Sequence, residues 1–432
     1  MYSLWSDTAQ LPHFDRLEKD LHVDVLVIGG GIAGILCAFK LQQAGISYAL
    51  AEADTICSGI TKNTTAKITA QHGLIYDKLL RKYGKNAAKL YLEANENALA
   101  QYRTLCRSID CSFEAQDNFV YATDNPADLH RELAALRKIG AAAQWTDRIP
   151  VPVPAVGAIR FPNEAQFHPL QFLAAISRDL HIYEHTAVTE LIGSTALTPH
   201  GKIFAEKIIV ATHFPMLNKH GSYFMKLYQH RSYVIALEDA QPFSGMYVDA
   251  AQNGLSFRMA DGLLLLGGGD HRTGKKGGNW KELEVFAQKH YPNAKIKYRW
   301  ATQDCMSLDG IAYIGNYSAR TPDLYTATGF NKWGMTTAMV AADILCDLVQ
   351  GKHNPYARLY SPSRTMLHPL LATNAFESAV GLLTPTKKRC PHLGCALKWN
   401  PAEHSWDCPC HGSRFAEDGA LIDNPATGDL PD

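Results

Sequence analysis

Five side chains of metal-binding type stand in two short groups near the end of the chain, Cys390-Pro-His392 and Cys408-Pro-Cys-His411, separated by residues 393–407, and the patterns C-x-H and C-x-x-H take four of them, Cys390, His392, Cys408 and His411. Two thiolates and two imidazoles are the donor set of a [2Fe–2S] centre in which histidines replace cysteines on one iron. Zinc is the competing chemistry, because Cys and His at short spacing bind it as well. Zinc pairs usually leave about two to four residues between cysteines, whereas C-x-H sets both donors on one turn facing a single cluster edge.

A second constellation lies at the other end. Gly29, Gly31 and Gly34 form G-x-G-x-x-G between the apolar run 23–28 and a helical stretch that reaches Ala44. Such a loop lets backbone approach a pyrophosphate held at a helix N-terminus. Glu52 follows the second strand, 47–51, at about the 20-residue distance expected of an acid that accepts from a ribose hydroxyl and repels a 2′-phosphate. Nicotinamide and flavin dinucleotides exploit the same phosphate physics, so the loop alone does not choose between them.

The elements that must position these groups follow from periodicity and punctuation. Residues 23–51 read as a βαβ unit, and residues 76–106 and 126–139 as helices capping the core. Prolines in 150–162 mark a crossing back toward the core, 171–177 is a helix, and 203–212 a buried strand. Residues 228–237 and 262–268 read as antiparallel strands of a second lobe; 324–327, Gly329 and 335–349 make a strand, glycine turn and helix. A loose segment from 351 to about 378, with three prolines, joins the end module. With 432 residues, 46% hydrophobic, and 42 Lys+Arg offset by 42 Asp+Glu, the chain is ordinarily globular and carries no general field for nucleic acid. No run reaches the ~20 apolar residues of a spanning helix, and without a cationic leader the expected location is cytoplasmic. Six of the ten cysteines are scattered, as buried thiols are.

The far end of the chain favours a flavin. Ser307-Leu-Asp-Gly-Ile-Ala-Tyr-Ile-Gly315 and Thr328-Gly-Phe-Asn-Lys-Trp-Gly-Met335 resemble the closing elements of the D-amino-acid-oxidase-like flavoproteins, and Ser58-Gly-Ile-Thr-Lys-Asn-Thr-Thr-Ala66 resembles their loop beside the flavin. The resemblance spans about residues 20–360. It implies FAD, and oxidation of an amine or amino acid by hydride transfer to the flavin. It also implies FAD contacts at Gly29, Gly31, Gly34 and Glu52, at Thr61, Thr65 and Ala66, at Val188 (whose backbone would meet the adenine) and Thr212, and at Gly329, Trp333, Gly334 and Met335. Lys332 falls near where glycine-oxidase-like members place an arginine that grips the substrate carboxylate, and a lysine offers a point charge in place of that fork. Lys332 is therefore either a weakened anchor or a solvated surface lysine. Gln303 and His168 divide in the same way between pocket and structure, and Trp300 and Trp333 between pocket lining and packing.

The terminal groups closely resemble Rieske cluster-binding loops, with Cys390, His392, Cys408 and His411 as ligands. That resemblance implies a Cys395–Cys410 disulfide, a covering proline loop at Asn424-Pro-Ala426, and a Ser413 hydroxyl that donates to a bridging sulfur. Phe415 replaces the tyrosine of respiratory relatives, which implies a lower potential. Few residues precede Cys390, so the module is expected to pack on the flavin domain or to hold its cluster poorly.

The whole chain resembles bacterial flavoproteins that fuse a D-amino-acid-oxidase-like domain to a Rieske domain. The expected fold is α/β (α+β): a two-lobed Rossmann-like FAD domain over residues 1–375 and a small all-β module over 376–432. Within the first, segments 22–75, 150–215 and 300–350 are expected to bind FAD, and 76–149 and 216–299 to form an antiparallel substrate lobe. The expected activity takes electrons from a small amine or amino acid to FAD, to the cluster and to an external acceptor. A flavin oxidase with a remnant tail and a non-catalytic electron carrier or sensor are the alternatives.

Overall fold

In the computed structural model, which describes residues 2–217, 220–251 and 253–431, the run before the glycine motif is the strand Leu21–Ile28. Its last four residues are all buried, as befits a parallel strand covered on both faces. It pairs in parallel with Tyr48–Ala51 on one side and Gly201–Val210 on the other. Ile182–Tyr183 and Leu324–Thr328 extend the sheet at the two ends, and Tyr313–Asn316 closes one edge antiparallel. Helices Ile32–Gln43 and Gly334–Val349 pack together against this sheet, and Ile75–Leu105, broken at Gly84 (φ 82°), packs along the second of them.

A second, wide sheet runs in the order Lys295–Ser307, Leu227–Glu238, Leu263–Arg272, Ser256–Ala260, Met246–Asp249, Glu114–Ala122, Gly157–Gln166, Lys67–Ile68. All its pairs are antiparallel except Met246–Asp249 with Glu114–Ala122. The segment 150–215, expected to serve the nucleotide unit, is divided: Gly157–Gln166 belongs to the wide sheet and only the later strands join the nucleotide sheet. Pro162 is tolerated there because the ladder slips between Gln116 and Asn118, opposite Pro162 and Asn163 (φ 58°), and a bulge needs no donor from proline. Lys295–Ser307 likewise runs unbroken across the expected lobe boundary near residue 300.

The expected loose segment is also partly ordered, since Pro369–Leu383 is a helix. Proline in sequence suggests a break, but Pro369 occupies the first helical turn, where its missing N–H costs nothing, and the His368 ring accepts from Leu370 N. Beyond it lies a four-stranded antiparallel sheet, Lys398–Asn400, Ser405–Asp407, Arg414–Ala416 and Leu421–Asp423. No helix among the described residues is long and apolar enough to cross a membrane.

Candidate functional site

A cavity of about 1250 Å³ opens at the carboxyl ends of the nucleotide-sheet strands and extends under the wide sheet. Gly29, Gly31, Glu52, Val188 and Thr212 line one part of it; Thr61, Thr65, Gly329, Trp333, Gly334 and Met335 line the next. Gly29 has φ 108° and passes so near Ala211 that a Cβ would stand 2.7 Å from its carbonyl oxygen, while a Cβ on Gly34 would overlap the Gly29 carbonyl. Only bare backbone fits this cradle, which leaves the start of Ile32–Gln43 open to a phosphate. The Glu52 carboxylate accepts from the backbone of Gly30 and Asp54. Burial pushes it up, against the pull of those N–H groups.

The loop 58–66 is fastened at both ends. Thr61 Oγ1 accepts from Ile32 N at 3.0 Å, and Arg258, buried, donates to the Thr65 and Ala66 carbonyls at 2.7 Å each. Ala66 itself is fully buried and does not line the cavity. Sequence reasoning missed Arg258, whose one signal is a guanidinium inside the otherwise apolar stretch Ser256–Ala260. It also missed His72, which stacks on Trp333 at 5.0 Å and bonds Tyr91 Oη at 2.6 Å. Burial pulls His72 down to about 3, so it lines the cavity as a neutral ring.

Other expected pocket residues are placed elsewhere. His168 caps the helix Pro169–Ser177 and bonds Thr8, and Trp300 is a core residue donating to the Asn63 carbonyl. Gln303 accepts from Thr273 and donates to the Gly412 carbonyl of the C-terminal module, because side chains alternate along Lys295–Ser307 and its neighbours Thr302 and Asp304 take the cavity side. Lys332 does reach the cavity, but its Nζ is held 2.5 Å from Asp270 Oδ2. The lysine is thus partly buried and paired, which is more than a solvated surface lysine.

At the module, Cys390 and Cys408 are buried with their thiols in contact. The Cys408 thiol, the Ser413 hydroxyl and the backbone at His392 and Leu393 together hold the Cys390 thiol below its ordinary value, against burial. The rings of His392 and His411 stand 5.0 Å apart and nearly perpendicular. His411 is buried, yet neither ring nitrogen finds a hydrogen-bond partner at ordinary distance, as fits a donor set meant for metal. Cys395 and Cys410 form a disulfide (Cα–Cα 6.6 Å), which removes both from the donor set. Ser413 Oγ accepts from Ala426 N, so the proline loop is tied down over the site.

The two sites share walls. The Phe214 ring lies 6.2 Å from His392 and 6.4 Å from His411, two residues after Thr212 in the cavity lining. Asn424 donates to the Thr212 and Phe214 carbonyls, and residues 421–424, 426 and 427 of the module line the cavity. Across the wide sheet, Arg231 and Tyr233 bind Glu403 of the module.

A dinucleotide cradle joined to a wide antiparallel sheet, with a Cys/His cluster module built onto it, defines a flavin-dependent oxidoreductase with an appended iron–sulfur domain. The chain belongs to the FAD dependent oxidoreductase family, whose model matches residues 24–348, and it carries a Rieske [2Fe-2S] domain at residues 376–432. Its cofactors are FAD and a [2Fe–2S] cluster. Over 98% of its length it is 34% identical to YhfW of Bacillus subtilis (strain 168), described as a Rieske 2Fe-2S iron-sulfur protein, of which 95% is covered. Gamma-glutamylputrescine oxidoreductase of Escherichia coli (strain K12) is 23% identical over 84% of this chain and 93% of its own. Glycine oxidase from Geobacillus kaustophilus shares the fold, with TM-score 0.69 at 20% identity over 80% of this chain and 100% of that one.

Proposed function

We propose that the protein oxidises a small amine or amino acid and delivers the electrons singly, by way of the Rieske centre, to an external acceptor. FAD supplies the two-electron chemistry, taking hydride from a substrate C–H, while a Rieske centre passes one electron at a time. The observation that carries this reading is the shared wall: Phe214, two residues after the cavity-lining Thr212, stands beside both His392 and His411, and the loop holding Asn424 lines the cavity itself.

Residues 1–375 would then work as the flavin part, with Gly29, Gly31 and Gly34 around the pyrophosphate, Glu52 toward the ribose and Val188 toward the adenine. The loop at Thr61 and Thr65, and Gly329 with Trp333, Gly334 and Met335, would face the rest of the dinucleotide. Residues 376–432 would hold the cluster through Cys390, His392, Cys408 and His411. A remnant tail is disfavoured, because the module keeps a small core of its own around Leu397, Phe415 and Ala426.

The test is anaerobic substrate reduction followed by low-temperature EPR. A Rieske-type signal growing as the flavin bleaches is the expected result, and Cys408→Ser should bleach without it. Flavin bleached by substrate while the cluster stays oxidised would overturn the proposed order.

A further inference from the structure

An amino acid presents a carboxylate on the carbon that loses hydride, and gripping it calls for an unengaged cation, best a guanidinium fork. Among the described residues, the cavity lining offers no guanidinium. Arg258 is committed to the Thr65 and Ala66 carbonyls, and Arg231 to Glu403 on the opposite face. Arg272 is turned to Asn374 and Tyr228. The remaining cations among the described lining residues are Lys67, Lys78 and Lys332. Lys78 is exposed on the first helical turns after the loop at 72–74, Lys67 is pulled down to about 7 by burial and then by Arg258, and Lys332 is paired with Asp270.

Carboxylates, in contrast, remain in surplus on that wall. Asp270 keeps one-tenth of its side chain exposed, and its second oxygen, Oδ1, is buried without a partner. Asp304 lines the same cavity from Lys295–Ser307, pushed up to about 6 by burial, with the Lys332 charge opposing. His230 is its ladder partner on Leu227–Glu238, and burial keeps that ring neutral with Nδ1 unpartnered, so it adds no positive charge. Within the group formed by Lys332, Asp270 and Asp304, one lysine faces two carboxylates, which leaves one negative charge to be met from outside.

We infer that the substrate is an amine, bound as its ammonium ion by Asp304 and the free oxygen of Asp270, with no carboxylate on the reacting carbon. The inference rests on the reading above that this cavity houses amine or amino-acid oxidation, and it selects between the two.

The matched probes are n-butylamine and norvaline (both enantiomers), which differ only by the carboxylate on the reacting carbon. Each is titrated into the oxidised holoprotein and followed by the perturbation of the flavin spectrum. The expected result is butylamine at least about tenfold tighter than either norvaline, with Asp304→Asn weakening butylamine by about tenfold or more. Flavin content of the variant reports whether it has folded. Lys332→Met supplies an independent arm: freeing Asp270 should hold or strengthen butylamine binding, whereas a lysine that anchors carboxylates would lose norvaline. Norvaline binding as tightly as butylamine, no butylamine binding at all, or an Asp304→Asn variant that binds butylamine unchanged would each overturn the inference. Turnover of norvaline with cluster reduction would overturn it while leaving the proposed function intact, and failure of every amine and amino acid to reduce the flavin would instead remove that function.

Discussion

Phe415 is fully buried in the small core that also contains Cys390, Cys408 and the Cys395–Cys410 disulfide. A hydroxyl at that position would donate toward cysteine sulfur, withdrawing electron density and favouring the reduced cluster. We predict that Phe415→Tyr raises the midpoint potential, within a Rieske range of roughly −150 to +300 mV. EPR-monitored redox titration measures this, and an unmoved midpoint would mean that the added hydroxyl does not reach the sulfur. Ser413 is a second lever at this scale, since one hydroxyl both faces Cys390 and accepts from Ala426 N.

At the scale of elements, the strand–loop–helix unit depends on backbone passing where no side chain fits. A Cβ at Gly34 overlaps the Gly29 carbonyl, so Gly34→Ala must displace either the phosphate loop or the helix behind it. The expected outcome is protein purified with most of its flavin missing but its cluster signal retained, because the proposed ligands, at 390–392 and 408–411, stand on loops of the module apart from this unit. Absorbance at the flavin bands against the EPR amplitude gives the ratio directly. Normal flavin content would show that the loop has room the geometry denies it.

The whole molecule is joined through a buried ion network. Arg231 of the wide sheet and Arg414 of the module share Glu403, and Arg414 also binds Asp407 and Asp423. Burial alone would raise the Glu403 carboxyl, but Arg231 and Arg414 hold it below its ordinary value. Its stabilisation is therefore present above the unfolded carboxylate range and is lost as pH falls through the lower folded value. Glu403→Gln leaves two buried guanidinium groups short of charge, at an expected cost of about 3–5 kcal/mol. Denaturant unfolding followed at the cluster and at the flavin should show the cluster signal lost first. A midpoint equal to the parent's would mean that the remaining carboxylates suffice.

Both cofactors were legible in the sequence because the motifs that suggest them are local: three motif glycines within six residues, and two Cys/His pairs each within one turn. The side chains at the reacting end were not, because their roles depend on contacts between distant segments. Lys332 is neutralised by Asp270, from a strand 62 residues earlier, and alternation along one strand gives Gln303 to the cluster module and Asp304 to the cavity. The helix Pro369–Leu383 was hidden because proline reads as a break until the first turn is located. Sequence alone determined which cofactors this chain carries. Tertiary structure decided which charges remain free beside them, since a charge is spent or spare only once its neighbours are in place.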